Sequence, residues 1–86
     1  MDDDIKFVQK LRAANQIEQD KMFVELYGRY YSFIEQMIFK NTGNQGDAED
    51  VFQDSLVVFY QQIIINQNPL TATIKTYIYA VAYRIW

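Results

Sequence analysis

The sequence predicts an all-α protein, a small bundle of about four helices. Three features lead there. Apolar side chains recur at the i, i+3, i+4, i+7 spacing of helices along most of the chain. One Pro and three Gly among 86 residues leave little punctuation for strand-and-turn architectures. With 50% hydrophobic and 16% aromatic residues, the chain has material for one core and too little length for a second.

Four segments carry the pattern. Residues 3–14 give a short helix with Ile5, Val8, Leu11 and Arg12 at helical spacing after an acidic first turn, and Asn15 is a plausible stop. A second helix runs from about Asp20 to Lys40 on Phe23, Leu26, Tyr27, Tyr30, Phe33, Ile34, Met37 and Ile38. Asn41-Thr42-Gly43-Asn44 is turn chemistry, with Gly43 expected as a left-handed cap and the flanking helices antiparallel. A third helix is expected from Asp47, as its N-cap with Asp50 at the capping-box position, to about Ile65. Its core stripe is Phe52, Ser55, Leu56, Phe59 and Ile63, and its outer stripe is Asp50, Gln53, Asp54, Val57 and Gln61. The polar loop at 66–72 precedes a fourth helix capped by Thr71 or Thr73. Its core stripe is Ile74, Tyr77, Ile78, Val81 and Ile85, with Lys75, Tyr79, Tyr83 and Trp86 opposite. No stop signal follows Tyr83, so the chain is expected to be an N-terminal piece of a longer protein, with exposed Trp86 able to drive an artificial dimer.

Composition excludes several functions. Zero Cys and zero His remove Cys/His metal sites, Cys nucleophiles and His general bases. A carboxylate-only metal site stays formally open, but nothing in the spacing supports one, and no cofactor is expected. No apolar run approaches the roughly 18 residues of a membrane span. The start Met1-Asp2-Asp3-Asp4 is acidic, unlike a signal peptide. A soluble, cytoplasmic chain without membrane insertion is expected.

Charge divides the chain. Residues 1–54 hold all 11 acids and 6 of the 8 bases, a balance of −5, whereas residues 55–86 hold Lys75 and Arg84 and no acid. This division marks two surfaces. On the third helix, Asp50, Gln53 and Asp54 flank Val57, with Tyr60 at the edge. That is either a solvated face or a surface for a basic partner helix. On the fourth, the outer aromatics either pack on another element or form a platform for single-stranded bases. In the second case Lys75 and Arg84 meet phosphates, and the Asn- and Gln-rich loop, with Asn66 and Asn68, hydrogen-bonds an extruded base.

At these residues the sequence resembles region 2 of bacterial RNA polymerase sigma factors of the extracytoplasmic-function group. The run Asp47-Ala48-Glu49-Asp50-Val51-Phe52-Gln53-Asp54 is similar to the family's "D-A-E-D-hydrophobic-hydrophobic-Q-acid" core. Phe23-Val24-Glu25-Leu26-Tyr27-Gly28-Arg29-Tyr30-Tyr31 resembles its "F-x-x-L-Y-x-x-Y-Y" helix, and Thr76-Tyr77-Ile78-Tyr79-Ala80-Val81-Ala82 its "T-W-L-Y-x-I-A" segment. The resemblance implies a domain that docks on the clamp helices of the polymerase β′ subunit through Asp50, Gln53 and Asp54, extended by Val57 and Tyr60. It puts engagement and melting of the −10 promoter element on the loop at 66–73 and the fourth helix. There Tyr77, Tyr79 and Tyr83 are the aromatic candidates for the single-stranded non-template strand. An anti-sigma factor is a further partner of the kind this family takes. Tyr77 stands where the family usually has Trp, and the last helix carries fewer Arg and Lys than is common. The family's C-terminal helix-turn-helix domain is absent from these 86 residues. The competing expectation is a helical protein–protein interaction domain with no DNA role; an enzyme is disfavoured.

Overall fold

Four α-helices make up most of residues 2–86, which are the residues the computed structural model describes. They are α1 (Asp2–Ala13), α2 (Gln16–Lys40), α3 (Gln45–Phe59) and α4 (Ile74–Ile85), and a π-helical segment, Tyr60–Ile65, continues α3. There is no strand among the described residues. The all-α bundle predicted from periodicity is the fold.

Helix ends are set by short polar side chains that accept the N–H groups left free in each first turn. Asn15 does more than end α1: its Oδ1 accepts Glu18 N–H at 2.9 Å and so starts α2 at Gln16, earlier than the Asp20 expected from the apolar pattern. The third helix also begins earlier than expected. Asn44, not Asp47, is its N-cap, and Asp47 is the reciprocal partner in the capping box, with both bonds at 2.9 Å. Asp50 therefore has no capping role and its carboxylate faces outward. Thr73, one of the two caps proposed, accepts Thr76 N–H at 3.1 Å.

The turn between α2 and α3 corrects another expectation. The left-handed residue is Thr42, at φ 68°, and no glycine has positive φ. Gly43 N–H reaches Ile38 O at 2.8 Å and Thr42 N–H reaches Phe39 O at 3.3 Å, the paired bonds of a Schellman motif with Thr at the position Gly usually holds. Gly43 is needed for space instead. A Cβ there would run into the Ile38 side chain and lie 2.9 Å from the Trp86 ring.

All four helices feed one core, from Val8 and Leu11 through Leu26, Ile34 and Ile38 to Phe52, Phe59, Ile63, Ile74 and Ile78. Edge-to-face contacts of Phe23 with Tyr60 and of Tyr31 with Phe52 fix α2 and α3 antiparallel. Lys75 over Phe33 and Trp86 bonded to Asn41 make α4 run alongside the second half of α2 in the same direction. In α4 the buried row is Ile74, Ile78 and Ala82, whereas Ile85, expected inside, is 41% exposed. By 100° steps Ile85 still falls on the side of Ile74 and Ile78, but it is the last residue of α4, where the helix end lies open to solvent. Trp86 is not a loose aromatic. Its Nε1–H donates to Asn41 O at 3.1 Å and its ring sits by Gly43.

The π-helical segment couples α3 to α1. Its wider turn, with Asn66 N–H bonded back to Gln61 O at 2.9 Å, leaves the Ile63 carbonyl to a side chain of α1. Gln67 then takes φ 55°, and the chain leaves the helix for the loop before α4.

Candidate functional site

The outer face of α3 is open. Asp50, Gln53, Asp54 and Val57 are all exposed, Val57 to 54%, and neither aspartate belongs to an ion pair among the described residues. Sequence placed these residues on one face because 100° steps bring positions 50, 53, 54 and 57 together. Tyr60 stands at the edge, half-buried, with its ring against Phe23 and its hydroxyl donating to Gln19 Oε1 at 3.4 Å.

What sequence missed is the wall that α2 supplies. A groove of about 430 Å³ runs between the two helices, lined by Gln16, Asp20, Phe23, Gln53, Leu56, Val57 and Tyr60. It continues into an apolar hollow over Phe23, Val24, Tyr27, Gly28 and Leu56. Val24 is 72% exposed, an apolar side chain off the core stripe, and that mismatch was the signal available. Gly28 is exposed, with open space at the place a Cβ would occupy, so no side chain walls the hollow there. The whole is an apolar trough with polar groups on both walls, Gln16 and Asp20 from α2 and Gln53 from α3.

Beneath the trough lies a ring cluster. Tyr27 stacks on Tyr31 at 4.8 Å between centroids, and both meet Phe52 edge-on. The Tyr31 hydroxyl is closed off from water and has no hydrogen-bond partner of normal geometry, and Glu35 stands close by. Burial first, and then the negative charge of Glu35, push the Tyr31 pKa up to about 12.

The residues proposed for DNA are spread over α4 and its preceding loop. Tyr79 and Tyr83 are exposed, 40% and 62%, and four residues apart on one row. Tyr77 belongs partly to the core: it is half-buried with its ring edge-on to Phe59 at 5.8 Å. Lys75 holds its ammonium 3.5 Å from the centroid of the Phe33 ring, a cation–π contact that competes with any phosphate role. Arg84 is exposed. In the loop, Asn66 is exposed, whereas the Asn68 amide already donates to Gln62 Oε1 at 2.8 Å. The two sets of residues lie apart. Val57 is two residues before Phe59, about 160° away round α3 from the side that meets α4.

Two side chains of α1 reach this loop, and sequence gave no sign of either. Arg12 donates from Nε and Nη2 to Ile63 O at 3.0 and 2.8 Å, and from Nη2 to Asn68 O at 3.1 Å. The Asp4 carboxylate accepts Ile74 N–H at 3.0 Å.

Among the described residues no three carboxylates converge as a metal site would need, and no helix is long and apolar enough to cross a membrane. Compared with known proteins, the chain matches no family model, no curated protein and no solved structure.

Proposed function

We propose that this domain is a promoter-recognition factor for bacterial transcription initiation, of the sigma region 2 type, that works by binding without chemistry. The outer face of α3 docks on the basic clamp helices of the core RNA polymerase β′ subunit in the cytoplasm. Asp50, Gln53 and Asp54 set the register through charge and amides, and Val57 with the Phe23–Val24–Leu56 trough supplies apolar area. Docking presents the loop at 66–73 and α4 to the −10 element, where Tyr79 and Tyr83 stack on bases of the non-template strand. Each stacked base is worth roughly 1–3 kcal/mol, enough to hold melted DNA open.

The observation that carries this reading is the open α3 face, where unpaired carboxylates border an apolar trough. The test is binding to a purified β′ clamp-helix fragment, wild type against Asp54→Arg. Micromolar or tighter binding that the substitution removes supports the docking face. No binding by either protein, both folded, counts against the whole reading.

A second reading has its own observation. Tyr83, Ile85 and part of Trp86 leave an aromatic and apolar surface at the end of α4, as a protein–protein interaction domain would need. Salt separates the two, because DNA binding weakens steeply as salt rises and an apolar protein contact does not.

A further inference from the structure

The loop between the π-helical segment and α4 has little of its own to hold its shape. Within it, Asn68 pairs with Gln62 and Leu70 is partly buried against the core, while residues 66–69, 71 and 73 are exposed. Both ends are held by α1 instead. At the first end the Arg12 guanidinium makes three hydrogen bonds, two to the Ile63 carbonyl that the π-turn leaves open and one to the Asn68 carbonyl. At the other end, about 12 Å further along the α1 axis, the Asp4 carboxylate holds the first N–H of α4 at Ile74. In both places an ionised side chain meets a backbone group, the stronger class of hydrogen bond. Ile5, Val8 and Gln9 face Pro69 and Leu70 across a small hollow between the two anchors.

Neither anchor is free for DNA. Arg12 is half-buried with Nε and Nη2 committed to carbonyls, and the positive end of α4 already faces a carboxylate that would repel a phosphate. Their effect on a bound strand runs through the loop. A loop held in its binding shape loses less conformational freedom when a base is captured.

We propose that α1 is a latch on the loop at 66–73, with Arg12 and Asp4 as positioning residues for single-strand capture that do not touch the strand. The proposal rests on the promoter-melting reading, and its experiment keeps the two apart. Wild type, Arg12→Gln, Asp4→Ala and Asp4→Asn are compared by anisotropy with a labelled single-stranded DNA of mixed sequence, about ten nucleotides long, over a series of salt concentrations. Amide exchange at residues 66–74 is followed in the same proteins, with helical circular dichroism as the check on folding.

Arg12→Gln and Asp4→Ala are expected to speed exchange in the loop and to weaken DNA binding about tenfold, with the salt slope unchanged. Asp4→Asn keeps a carbonyl oxygen for Ile74 N–H and is expected to retain most of the affinity. A slope that falls by about one in Arg12→Gln would mean a direct phosphate contact and overturn the positioning role. Unchanged loop exchange in both Arg12→Gln and Asp4→Ala would overturn the latch itself, as would a loosened loop with full affinity. If Arg12→Gln fails to fold, the Asp4 pair decides alone. Wild type that binds no single strand removes the DNA part together with the function it rests on, while exchange still decides whether α1 holds the loop.

Discussion

Asp4, in the first turn of α1, accepts the backbone N–H of Ile74, the first residue of α4, at 3.0 Å across a separation of 70 residues. One helix thus caps another. Thr73 serves a different N–H of the same turn, that of Thr76, so the two caps divide the work. Each of Asp4→Ala and Thr73→Ala is expected to cost about 1 kcal/mol in urea denaturation, and Asp4→Asn distinctly less. A cost within about 0.3 kcal/mol for Asp4→Ala would mean that water replaces the carboxylate without loss.

The α2–α3 turn gives a pair of opposite effects at adjacent positions. Thr42 holds a left-handed φ of 68°, which is strained for a β-branched residue and easy for glycine. Thr42→Gly is expected to stabilise the protein by up to about 1 kcal/mol. Gly43→Ala is expected to destabilise it by about 1–3 kcal/mol, since the new methyl meets Ile38 and the Trp86 ring. Thermal unfolding of the two variants beside wild type checks both signs.

On the docking face, Val57→Asp is expected to weaken clamp-helix binding at least about tenfold and to leave thermal stability within about 0.5 kcal/mol, because Val57 is exposed and lies outside the core. Phe23→Ala should weaken binding too, but it also removes a ring that packs on Tyr60, so its melting temperature should drop. Titration calorimetry paired with melting curves tells a contact residue from a supporting one. Equal loss of stability in both would place Val57 in the core instead.

Alkaline pH tests the Tyr31 hydroxyl. Its pKa in the fold is raised to about 12, above the ordinary tyrosine value of 10.0, so the folded state keeps its proton where the unfolded chain has lost it. Full stability is therefore retained below pH about 10 and declines as pH rises from there through about 12. Tyr31→Phe removes the group and should flatten that decline, while also relieving a buried oxygen with no partner. Denaturant midpoints at pH 9 to 12 for both proteins measure it, roughly across the range where tyrosine titrates. Parallel curves would assign the alkaline loss to other tyrosines.

The single-strand surface has its own test. Tyr79→Ala with Tyr83→Ala is expected to weaken single-stranded DNA binding by about 1–3 kcal/mol per lost stack and to leave clamp-helix binding intact. Both rings are exposed, so the helical signal should not change. Unaltered DNA affinity in a folded double variant would remove these rings from the surface.

The features legible in the sequence were those with a local period. The order of helices, the buried faces of α2 and α3 and the free side of α3 at Asp50, Gln53, Asp54 and Val57 all follow from 100° steps. Choices between neighbouring polar residues were less legible. Asn44 and Asp47 are both competent caps, and only the fold decides which one is followed by helix. Contacts distant in sequence left no periodic trace. Arg12 scanned as a member of a helical stripe, and nothing near it announces a π-turn carbonyl 51 residues away. The α2 half of the groove was hidden for a related reason: Val24 looks incidental until Leu56 is brought beside it. Ile85 has the right angle for the core but is the last residue of α4, and the contact of Lys75 with the Phe33 ring was hidden because it depends on how α4 lies on α2.

Trp86, bonded to Asn41 and seated by Gly43, is the chain's single tryptophan. Its indole is therefore an intrinsic optical reporter placed where α4 meets the α2–α3 turn. Detachment of α4 would break the N–H bond and bring water around a ring that is now 44% exposed, shifting its emission to the red. The undocking of the helix that carries Tyr79 and Tyr83 can thus be timed by stopped-flow fluorescence, without a label.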